Sequence, residues 1–415
     1  MNRTWIFDPS PHMSHQFIKN RDIILFSSQA WNSEIAFNFK DIAFELANYN
    51  RILFVDRAHD RNSALKNLFS KKQSELPGRN NLQKIKNNFW VLHPAIILES
   101  GNWSPNYKLF DFFNKINNKR ISVEIKTALR ELKFKNCLLI NDNDFFRGLY
   151  LKSLLPVREY VFYIRDFLTI QPYFKKFGPR CEMEMIRKAD LVVANSSYLA
   201  NYAGQWNPNS VDIGQGCNLE EFKPDHLAVP DDMKQVPEPI IGYCGAISSM
   251  RLDEDLLLYI ASTLTKMSLV LVGPADQKFE KSALHKLKNV YFTGVKSPEK
   301  TAAYIRKFSV CINPQLVNLL TIGNYPRKID EYLASGKPIV AVNTQAMEMF
   351  RAYADLCSTK EEFVNSIRNL ISKQDTLEQI KKRKEFASTH SWENSVGSLG
   401  DAFHFLEKAH HQEDL

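Results

Sequence analysis

The chain lacks the long apolar stretches that mark membrane-spanning proteins. Its longest apolar runs, such as IILF, LVLV and PIVAV, have the length of strands, whereas a helix that crosses a bilayer needs about 20 such residues. The first residues, MNRTWIFDPSPHM, also lack the charged and then apolar layout of a signal peptide. We therefore expect a cytoplasmic protein that could in addition lie peripherally at the inner face of the membrane.

Cysteine is sparse and scattered. The six cysteines form no CxxC pair, and no group of Cys and His residues has the spacing of zinc ligands. Scattered thiols are typical of a reducing compartment, where small buried cysteines pack like apolar residues. We therefore predict neither a disulfide framework nor a bound metal ion.

Positive charge is concentrated in the first half of the chain. Residues 1–205 carry 30 Lys and Arg against 19 Asp and Glu, whereas residues 206–415 carry 24 against 27. A basic face suits an anionic membrane or a phosphate-bearing substrate, although a solvated lysine-rich surface gives the same excess. Because the basic residues cluster without an aromatic-bearing recognition motif, we do not expect a nucleic-acid partner.

Apolar runs alternate with helical patterns along the chain, which predicts an α/β fold with parallel sheets covered by helices. The stretch 223–239 interrupts this order with four prolines and no glycine, and we predict that it is a linker. We expect an acceptor-side Rossmann-like domain over 1–222, a nucleotide-binding one over 240–390, and a C-terminal helix over 391–415 that packs back on the first domain. Two such doubly wound domains would face each other across a cleft, where ligands bind in this fold class.

The element boundaries follow from the same patterns. The polar stretch 62–86 is expected to be an excursion from the first sheet, and the tail 377–407 is expected to be helical. The predicted helices are Ala36–Asn48, Ile121–Leu132, Asp253–Leu264, Pro298–Lys307 and Arg327–Ser335. The predicted strands are Asp22–Ser27, Arg51–Asp56, Phe89–Leu92, Asn136–Asn141, Glu159–Ile164, Leu191–Ala194, Ile240–Gly245, Ser268–Gly273, Asn289–Gly294, Val310–Asn313 and Pro338–Val342.

Strand-to-helix connections in the second half carry residue types that bind nucleotides. In Ile240–Asp255 a strand ends at Gly245, which lets a ligand approach the backbone, and Arg251 supplies a guanidinium for phosphate. After the strand Asn289–Gly294, backbone groups at Val295 could read a base edge. Ordinary turn geometry explains each connection equally well when it is taken alone.

The segment Thr321–Ala341 is the most informative one. Pro326 is expected to begin a helix that Gly336 ends. Lys328 in the first turn is disfavoured by the helix dipole unless an anion is present, and Glu331 could accept hydrogen bonds from the two hydroxyls of a ribose. A solvated lysine and an exposed helix carboxylate are the alternatives for these two residues.

The order of these segments resembles the nucleotide-binding domain of GT-B-fold glycosyltransferases, specifically the retaining group called family 4. The resemblance covers about Ile240–Leu406, and two segments of the first half, ADLVVANSSYLANYA and VFYIRDF, are also similar to the family. The matching runs are IIGYCGAIS, LVLVGP, NVYFTGVKSPEKTAAYIRKFSVCINP, YPRKIDEYLASGKPIVA and HSWENSV.

The resemblance implies a metal-independent glycosyltransferase of polysaccharide biosynthesis that needs no cofactor. Its donor would be a UDP- or GDP-linked sugar, and its acceptor a hydroxyl of a glycan or of a lipid-linked saccharide. Glu331 would hold the donor ribose, and Lys328 with Pro326 and Arg327 would face the diphosphate. Arg251 would add a second cation.

Two positions depart from the family pattern. An Arg that usually follows the loop glycine is Ala246 here, and a Glu that usually stands eight residues before the ribose-binding Glu is Gly323. The sugar ring would therefore meet a different loop, and we assign Thr321, Gly323, Asn324 and Tyr325 to its surroundings. These departures leave two alternatives open, a non-catalytic partner subunit and a sugar-nucleotide epimerase or hydrolase on the same fold.

In the first half, Asp166 is our candidate for contacting the acceptor or the donor sugar, and a helix cap or an ion pair is the alternative. Ser28 and Trp31 follow the first strand and are predicted to face the cleft. Trp31 would stack on a sugar there, or else belong to the core. We interpret the DxD spacing of Asp142 and Asp144 as a strand-end loop.

Overall fold

The computed structural model describes residues 15–33, 38–61, 81–222, 227–373 and 375–413. These residues form two compact units. Unit 1 consists of the described residues up to Gly214 together with those from Trp392 onward, and unit 2 consists of those from Gln215 to Ser391. No helix in the described part of the chain is both long and apolar enough to cross a membrane.

Unit 1 contains a sheet of eight strands and a separate ribbon of two. The strands are β1 Asp22–Ser27, β2 Arg51–Val55, β3 His59–Asp60, β4 Leu82–Lys86, β5 Phe89–Leu92, β6 Ile97–Leu98, β7 Cys137–Asp142, β8 Val157–Ile164, β9 Leu191–Ala194 and β10 Ser210–Asp212. The sheet order is β10-β9-β8-β7-β1-β2-β5-β4, and β3 pairs with β6. All pairs are parallel except β4 with β5. The carboxyl ends of seven strands therefore share one edge.

Unit 2 contains a fully parallel sheet of six strands. They are β11 Ile240–Cys244, β12 Ser268–Val272, β13 Val290–Gly294, β14 Val310–Asn313, β15 Ile339–Val342 and β16 Asp355–Cys357, in the order β13-β12-β11-β14-β15-β16. Because β11 lies in the middle and the chain winds outward on both sides of it, this is a doubly wound sheet.

Helices cover the faces of both sheets. They are α1 Asn38–Leu46, α2 Tyr107–Glu131, α3 Leu151–Leu154, α4 Gly178–Lys188, α5 Ser197–Gly204, α6 Glu254–Thr263, α7 Gln277–Glu280, α8 Pro298–Lys307, α9 Lys328–Ala334, α10 Lys360–Ser372, α11 Leu377–Ser388 and α12 Trp392–Glu413. Of these, α1 to α5 and α12 belong to unit 1, and α6 to α11 belong to unit 2.

Strand β1 shows how the sequence builds the core of unit 1. Ile24 and Phe26 belong to one buried cluster, and Ile23 and Leu25 belong to the other, because successive side chains of a strand point to opposite faces. Helix α12 covers the second face with an apolar stripe at helical spacing, which consists of Trp392, Val396, Leu399, Phe403 and Leu406. The last helix of the chain thus completes the core of unit 1.

The α/β fold class predicted from the sequence is confirmed. The tail 377–407, predicted to be helical, contains two helices, since one helix ends at Ser388 and the next begins at Trp392. Helix α2 is also longer than predicted and begins at Tyr107. The predicted excursion falls mostly outside the described residues, and its last part forms the edge strand β4. The domain and linker limits remain predictions.

Candidate functional site

The carboxyl edge of the sheet in unit 2 is lined by glycines. Gly245, Gly273 and Gly294 stand at the ends of three neighbouring strands with φ angles of +143°, +138° and +72°, which L side chains rarely adopt. The Gly245 amide donates to the Val272 carbonyl at 2.9 Å, and the Gly273 amide donates to the Gly294 carbonyl at 3.0 Å. Bare backbone is therefore presented at this edge, where a ligand can approach it closely.

The loop after Gly245 is held on both sides. The Ile247 amide donates to the Pro274 carbonyl at 2.8 Å, and the Ser249 amide and hydroxyl both donate to the carboxylate of Asp276. On the other side, the Leu316 amide donates to the Arg251 carbonyl at 2.8 Å. These bonds fix the backbone that carries Arg251, as a preorganised binding loop requires.

Lys328 lies directly beside Gly245. A Cβ atom built on Gly245 would stand 3.0 Å from Cε of Lys328, and the Lys328 ammonium lies 5.2 Å from the ring centroid of Tyr243. Burial lowers the pKa of Lys328 to about 8; Glu331 opposes this shift and the Arg251 cation adds to it. Lys328 is therefore a partly desolvated cation with a second cation nearby, an arrangement that an anion would stabilise.

Glu331 lies one turn after Lys328 on α9. Its Oε1 is 3.4 Å from Nε of Arg327, and its side chain is 18% exposed. Burial raises the pKa of the Glu331 carboxyl, while Arg327 and Lys328 counteract that rise. The Glu331 carboxylate thus lies near two cationic side chains, one of which, Lys328, has Arg251 as a further cationic neighbour.

Helix α9 begins later than predicted. Arg327 is its N-cap, with helical φ and ψ angles, and the amides of Ile329 and Asp330 donate to the carbonyls of Pro326 and Arg327 at 2.9 and 3.1 Å. These amides are therefore engaged within the chain. Binding of a diphosphate would depend on Lys328, on Arg251 and on the backbone at Gly245 more than on this helix end.

The loop before α9 is built from internal contacts. Thr321 is fully buried, and its hydroxyl donates to the Leu316 carbonyl. Gly323 is buried, and Asn324 is half-buried with its amide donating to the Thr321 carbonyl at 3.1 Å. Thr321 is therefore committed to the loop, whereas the side chain of Asn324 retains partial exposure.

Tyr325 belongs to a buried network that sequence reasoning did not find. Its hydroxyl donates to the carboxylate of Asp330 at 2.9 Å, and Nδ1 of His390 lies 2.8 Å from the same carboxylate. All three side chains are buried. Tyr325 thus stabilises the start of α9, and His390 of the HSWENSV run connects α9 to the end of unit 2.

Val295 lies apart from this cluster. It follows β13 and is 71% exposed. Its neighbour Lys296 is engaged by Asp232 at 2.8 Å. The structure brings Gly245, Arg251, Arg327, Lys328 and Glu331 together, and the role assigned to Val295 remains a prediction.

A family model described as glycosyl transferases group 1 matches residues 238–373. This range contains the glycine edge and the whole of the charged cluster. We refer to residues 238–373 as the group 1 domain after this match. The group 1 domain lies within unit 2.

Similarity to known proteins extends beyond the group 1 domain. TuaH of Bacillus subtilis, named as a teichuronic acid biosynthesis glycosyltransferase, is 24% identical over 238 residues, which are 54% of this chain and 59% of TuaH. The chain thus matches somewhat more than half the length of that relative.

Solved structures share the fold over nearly the whole chain. Sucrose-phosphate synthase of Thermosynechococcus elongatus has a TM-score of 0.66 at 16% identity, covering 94% of this chain and all of that one. HepE of Anabaena, solved in complex with UDP, has a TM-score of 0.57 at 16% identity, covering 95% of this chain and all of that one. The fold is therefore GT-B, as predicted.

The carboxyl edge of the sheet in unit 1 lies outside the group 1 domain. It carries polar side chains, several of which pair with one another. Asp142 is fully buried and is held by Arg165 through two bonds, Nε to Oδ1 at 2.6 Å and Nη2 to Oδ2 at 3.0 Å. Asp144 pairs with Arg147 at 2.6 Å. The DxD spacing is thus a strand-end loop whose carboxylates face guanidinium groups. Among the described residues there is no group of three His, Cys, Asp or Glu side chains that could hold a metal ion.

The remaining candidates of unit 1 differ in accessibility. The Ser28 hydroxyl donates to Asp142 at 3.3 Å, and Asp166 is half-buried beside Arg165. Trp31 is only 6% exposed, and its ring packs against Phe54 and Phe89 with centroid distances of 5.0 and 5.6 Å. This burial matches the core alternative for Trp31, so we omit it from the proposed site and retain Ser28 and Asp166.

Proposed function

We propose that this protein is a glycosyltransferase that moves a sugar from a UDP- or GDP-linked donor to a hydroxyl of a glycan or of a lipid-linked saccharide. The observation that carries the proposal is the convergence of Arg251, Lys328 and Glu331 on the glycine edge of a group 1 glycosyl transferase domain. The resemblance in fold to HepE, which was solved with UDP, supports a nucleotide donor.

The proposed reaction breaks the bond between the anomeric carbon and the diphosphate oxygen. The acceptor oxygen bonds to that carbon, the nucleoside diphosphate departs with the bonding electrons, and the acceptor proton passes to the departing diphosphate oxygen. Negative charge grows on the departing oxygen, so Lys328 and Arg251 would stabilise the transition state electrostatically. We propose that these side chains do so without a metal ion, that the anomeric configuration is retained, and that Glu331 accepts hydrogen bonds from the ribose hydroxyls.

Ser28 and Asp166 are the proposed acceptor-side contacts. Ser28 is tied to a paired carboxylate, and Asp166 follows the Arg165 that completes that pair. Hydroxyl and carboxylate groups suit the hydroxyls of a sugar, because each can accept a hydrogen bond from them. In the donor site, Asn324 of the loop before α9 is proposed to face the sugar ring.

The first test is nucleotide binding, measured as a thermal shift with UDP and GDP. A ligand that binds only the folded state at a hundred times its Kd adds about 2.7 kcal/mol of stability, so a clear rise in Tm is expected with one of the nucleotides. Glu331→Ala should remove this rise, because it deletes the acceptor for the ribose. Glu361→Ala, which truncates an exposed glutamate of α10, is the matched control and should retain it. An unchanged shift in Glu331→Ala would contradict the assignment of that residue.

The second test separates transfer from the two alternatives. Purified protein is incubated with sugar nucleotides, with and without a mixture of saccharide and lipid-linked saccharide acceptors, and free UDP or GDP is measured. A transferase releases nucleotide mainly when an acceptor is present. Release without any acceptor would favour the hydrolase or epimerase, and binding without release would favour the non-catalytic subunit.

A further inference from the structure

Helix α2 of unit 1 presents an unusual stripe to solvent along its whole length. The stripe repeats at helical spacing, contains five cations, two apolar residues and no acidic residue, and consists of Lys108, Phe112, Lys115, Lys119, Val123, Lys126 and Arg130. All seven side chains are exposed. Since the stripe runs from Lys108 to Arg130 at a rise of about 1.5 Å per residue, it is about 33 Å long.

The two apolar side chains of the stripe are largely exposed to water, which is unfavourable for apolar surface. Phe112 is 58% exposed and Val123 is 56% exposed. The nearest acid on the helix, Asp111, is engaged by Lys115 at 2.8 Å and by the Tyr150 hydroxyl. The exposed face of α2 therefore combines net positive charge with apolar contact area.

The amino end of α2 extends this surface with aromatic residues. Trp103 is 65% exposed, and its ring lies 5.7 Å from that of Phe113. Tyr173 is 52% exposed, and its carbonyl accepts a hydrogen bond from Asn102 at 2.8 Å, so the two loops that carry these rings are held together. Trp and Tyr are the side chains that are enriched at membrane–water interfaces.

The carboxyl end of α2 opens into a groove with an apolar floor and a basic rim. Buried Leu129, Phe134 and Leu155 line the floor, and the exposed Pro156 stands at its edge. The rim is formed by Lys126, Arg130, Lys133 and Lys135. The same pairing of apolar area with cations thus continues past the end of the stripe.

We propose that this surface, from Trp103 and Tyr173 along the exposed stripe of α2 to the basic groove, docks unit 1 on an anionic lipid bilayer. Cations would face the phosphate groups of the lipids, while Trp103, Phe112 and Val123 enter the boundary between head groups and acyl chains. A nucleic acid fits less well, because aliphatic Val123 and Pro156 stand between the cations and have no ring face on which a base could stack. The surface shares no residue with the proposed donor site, so its test is independent of transfer activity.

The test is co-sedimentation of the full chain with vesicles. Vesicles of phosphatidylglycerol and phosphatidylcholine in equal parts should bind the protein, pure phosphatidylcholine vesicles should bind it much less, and added salt should weaken binding. Each cation near an anionic surface contributes about 1 kcal/mol, or about fivefold in partitioning. Lys119→Glu with Lys126→Glu should therefore lower binding by at least about thirtyfold.

Matched variants in unit 2 control for charge and for apolar area. Lys286→Glu with Lys288→Glu changes the net charge equally at two exposed lysines, and Leu377→Ser removes an apolar side chain that is 86% exposed. Both should leave vesicle binding unchanged, whereas Phe112→Ser should reduce it severalfold. Equal binding to neutral vesicles, an equal loss in the control pair, or displacement of vesicles by stoichiometric duplex DNA would overturn the proposal.

Discussion

The two sheets of this protein end in different chemistry at the carboxyl edges of their strands. In unit 1 two carboxylates at this edge are paired with guanidinium groups, Asp142 with Arg165 and Asp144 with Arg147. In unit 2 three neighbouring strands end at glycines, and the partly desolvated Lys328 lies between Glu331 and a second cation, Arg251. The carboxyl edge of unit 1 therefore holds paired charges after β7, whereas that of unit 2 holds a desolvated lysine beside a second cation.

This difference indicates which edge suits which ligand. A compensated edge gains little from an added anion, whereas a desolvated lysine next to a second cation gains from any anion that approaches it. We therefore expect the diphosphate at unit 2 and neutral sugar hydroxyls at unit 1. Variants that break an ion pair in unit 1, or that change a residue of the glycine edge in unit 2, test this expectation.

The largest effect is expected from Asp142→Ala. The change leaves Arg165, whose side chain is 12% exposed, without its bidentate partner. Breaking a buried pair from one side costs about 3–5 kcal/mol, so the free energy of unfolding of unit 1 should fall by that order. Urea denaturation measures this fall in the free energy of unfolding. Glu348→Ala, which breaks the exposed pair with Arg351, should change stability little, and equal losses in the two variants would contradict the compensation of the edge.

Lys328 should make nucleotide binding depend on pH. Because burial lowers its pKa to about 8 and a diphosphate would raise that pKa, binding above pH 8 must take up a proton. The Kd for UDP should be nearly constant between about pH 7 and 8 and rise up to tenfold per unit between about pH 8 and 9.

Calorimetric titration at several pH values measures this dependence. Lys328→Arg should remove it, since guanidinium stays charged across the range. Lys328→Met should weaken binding about tenfold or more and also abolish the dependence, because no titrating cation remains. A wild-type Kd that does not change with pH would exclude Lys328 from the phosphate site.

Gly245→Ala should reduce UDP affinity about tenfold. The new methyl group would lie 3.0 Å from Cε of Lys328 at a φ of +143°, so either the loop or the lysine must move. Gly294→Ala is the matched control, because it also has a positive φ but no atom within 4 Å of its added Cβ. Both changes should cost about 1–2 kcal/mol of stability, and only the first should weaken UDP binding in a calorimetric titration. Equal affinities in the two variants would contradict the close approach at Gly245.

The smallest effect is a gain. Ala246→Arg would add a cation at an exposed position directly after Gly245, and we expect UDP affinity to rise about threefold. Ala283→Arg adds the same charge at an exposed position elsewhere in unit 2 and should leave affinity unchanged. A rise in both variants would show that net charge alone, and not the position at the glycine edge, sets the affinity.

Much of the fold could be predicted because the buried strands are continuous apolar runs with clear ends. The observed limits equal the predicted ones in strands such as Phe89–Leu92, Leu191–Ala194 and Val310–Asn313. The amino half of α2 could not be predicted, since its buried side chains include Asn114 and Asn118, which bond to each other and to the backbone instead of forming an apolar stripe.

The residues of the candidate site also fall into those that could be predicted from the sequence and those that could not. Gly245, Lys328 and Glu331 could be proposed from the sequence, because a short run places each of them at the end of a strand or in the first turn of a helix. Pairings between distant segments could not be proposed, since Asp330 and His390 meet only through the fold, across 60 positions of the chain.

Helix α12 has a consequence for how the protein is made. Unit 1 is assembled from two chain segments that are separated by the whole of unit 2, and α12 supplies an apolar stripe to its core. During synthesis, the sheet of unit 1 leaves the ribosome long before α12, which shares the covering of one face with α1. The part of that face under α12 must stay open until unit 2 has been translated, so unit 2 is able to complete its fold before unit 1 even though it is encoded second.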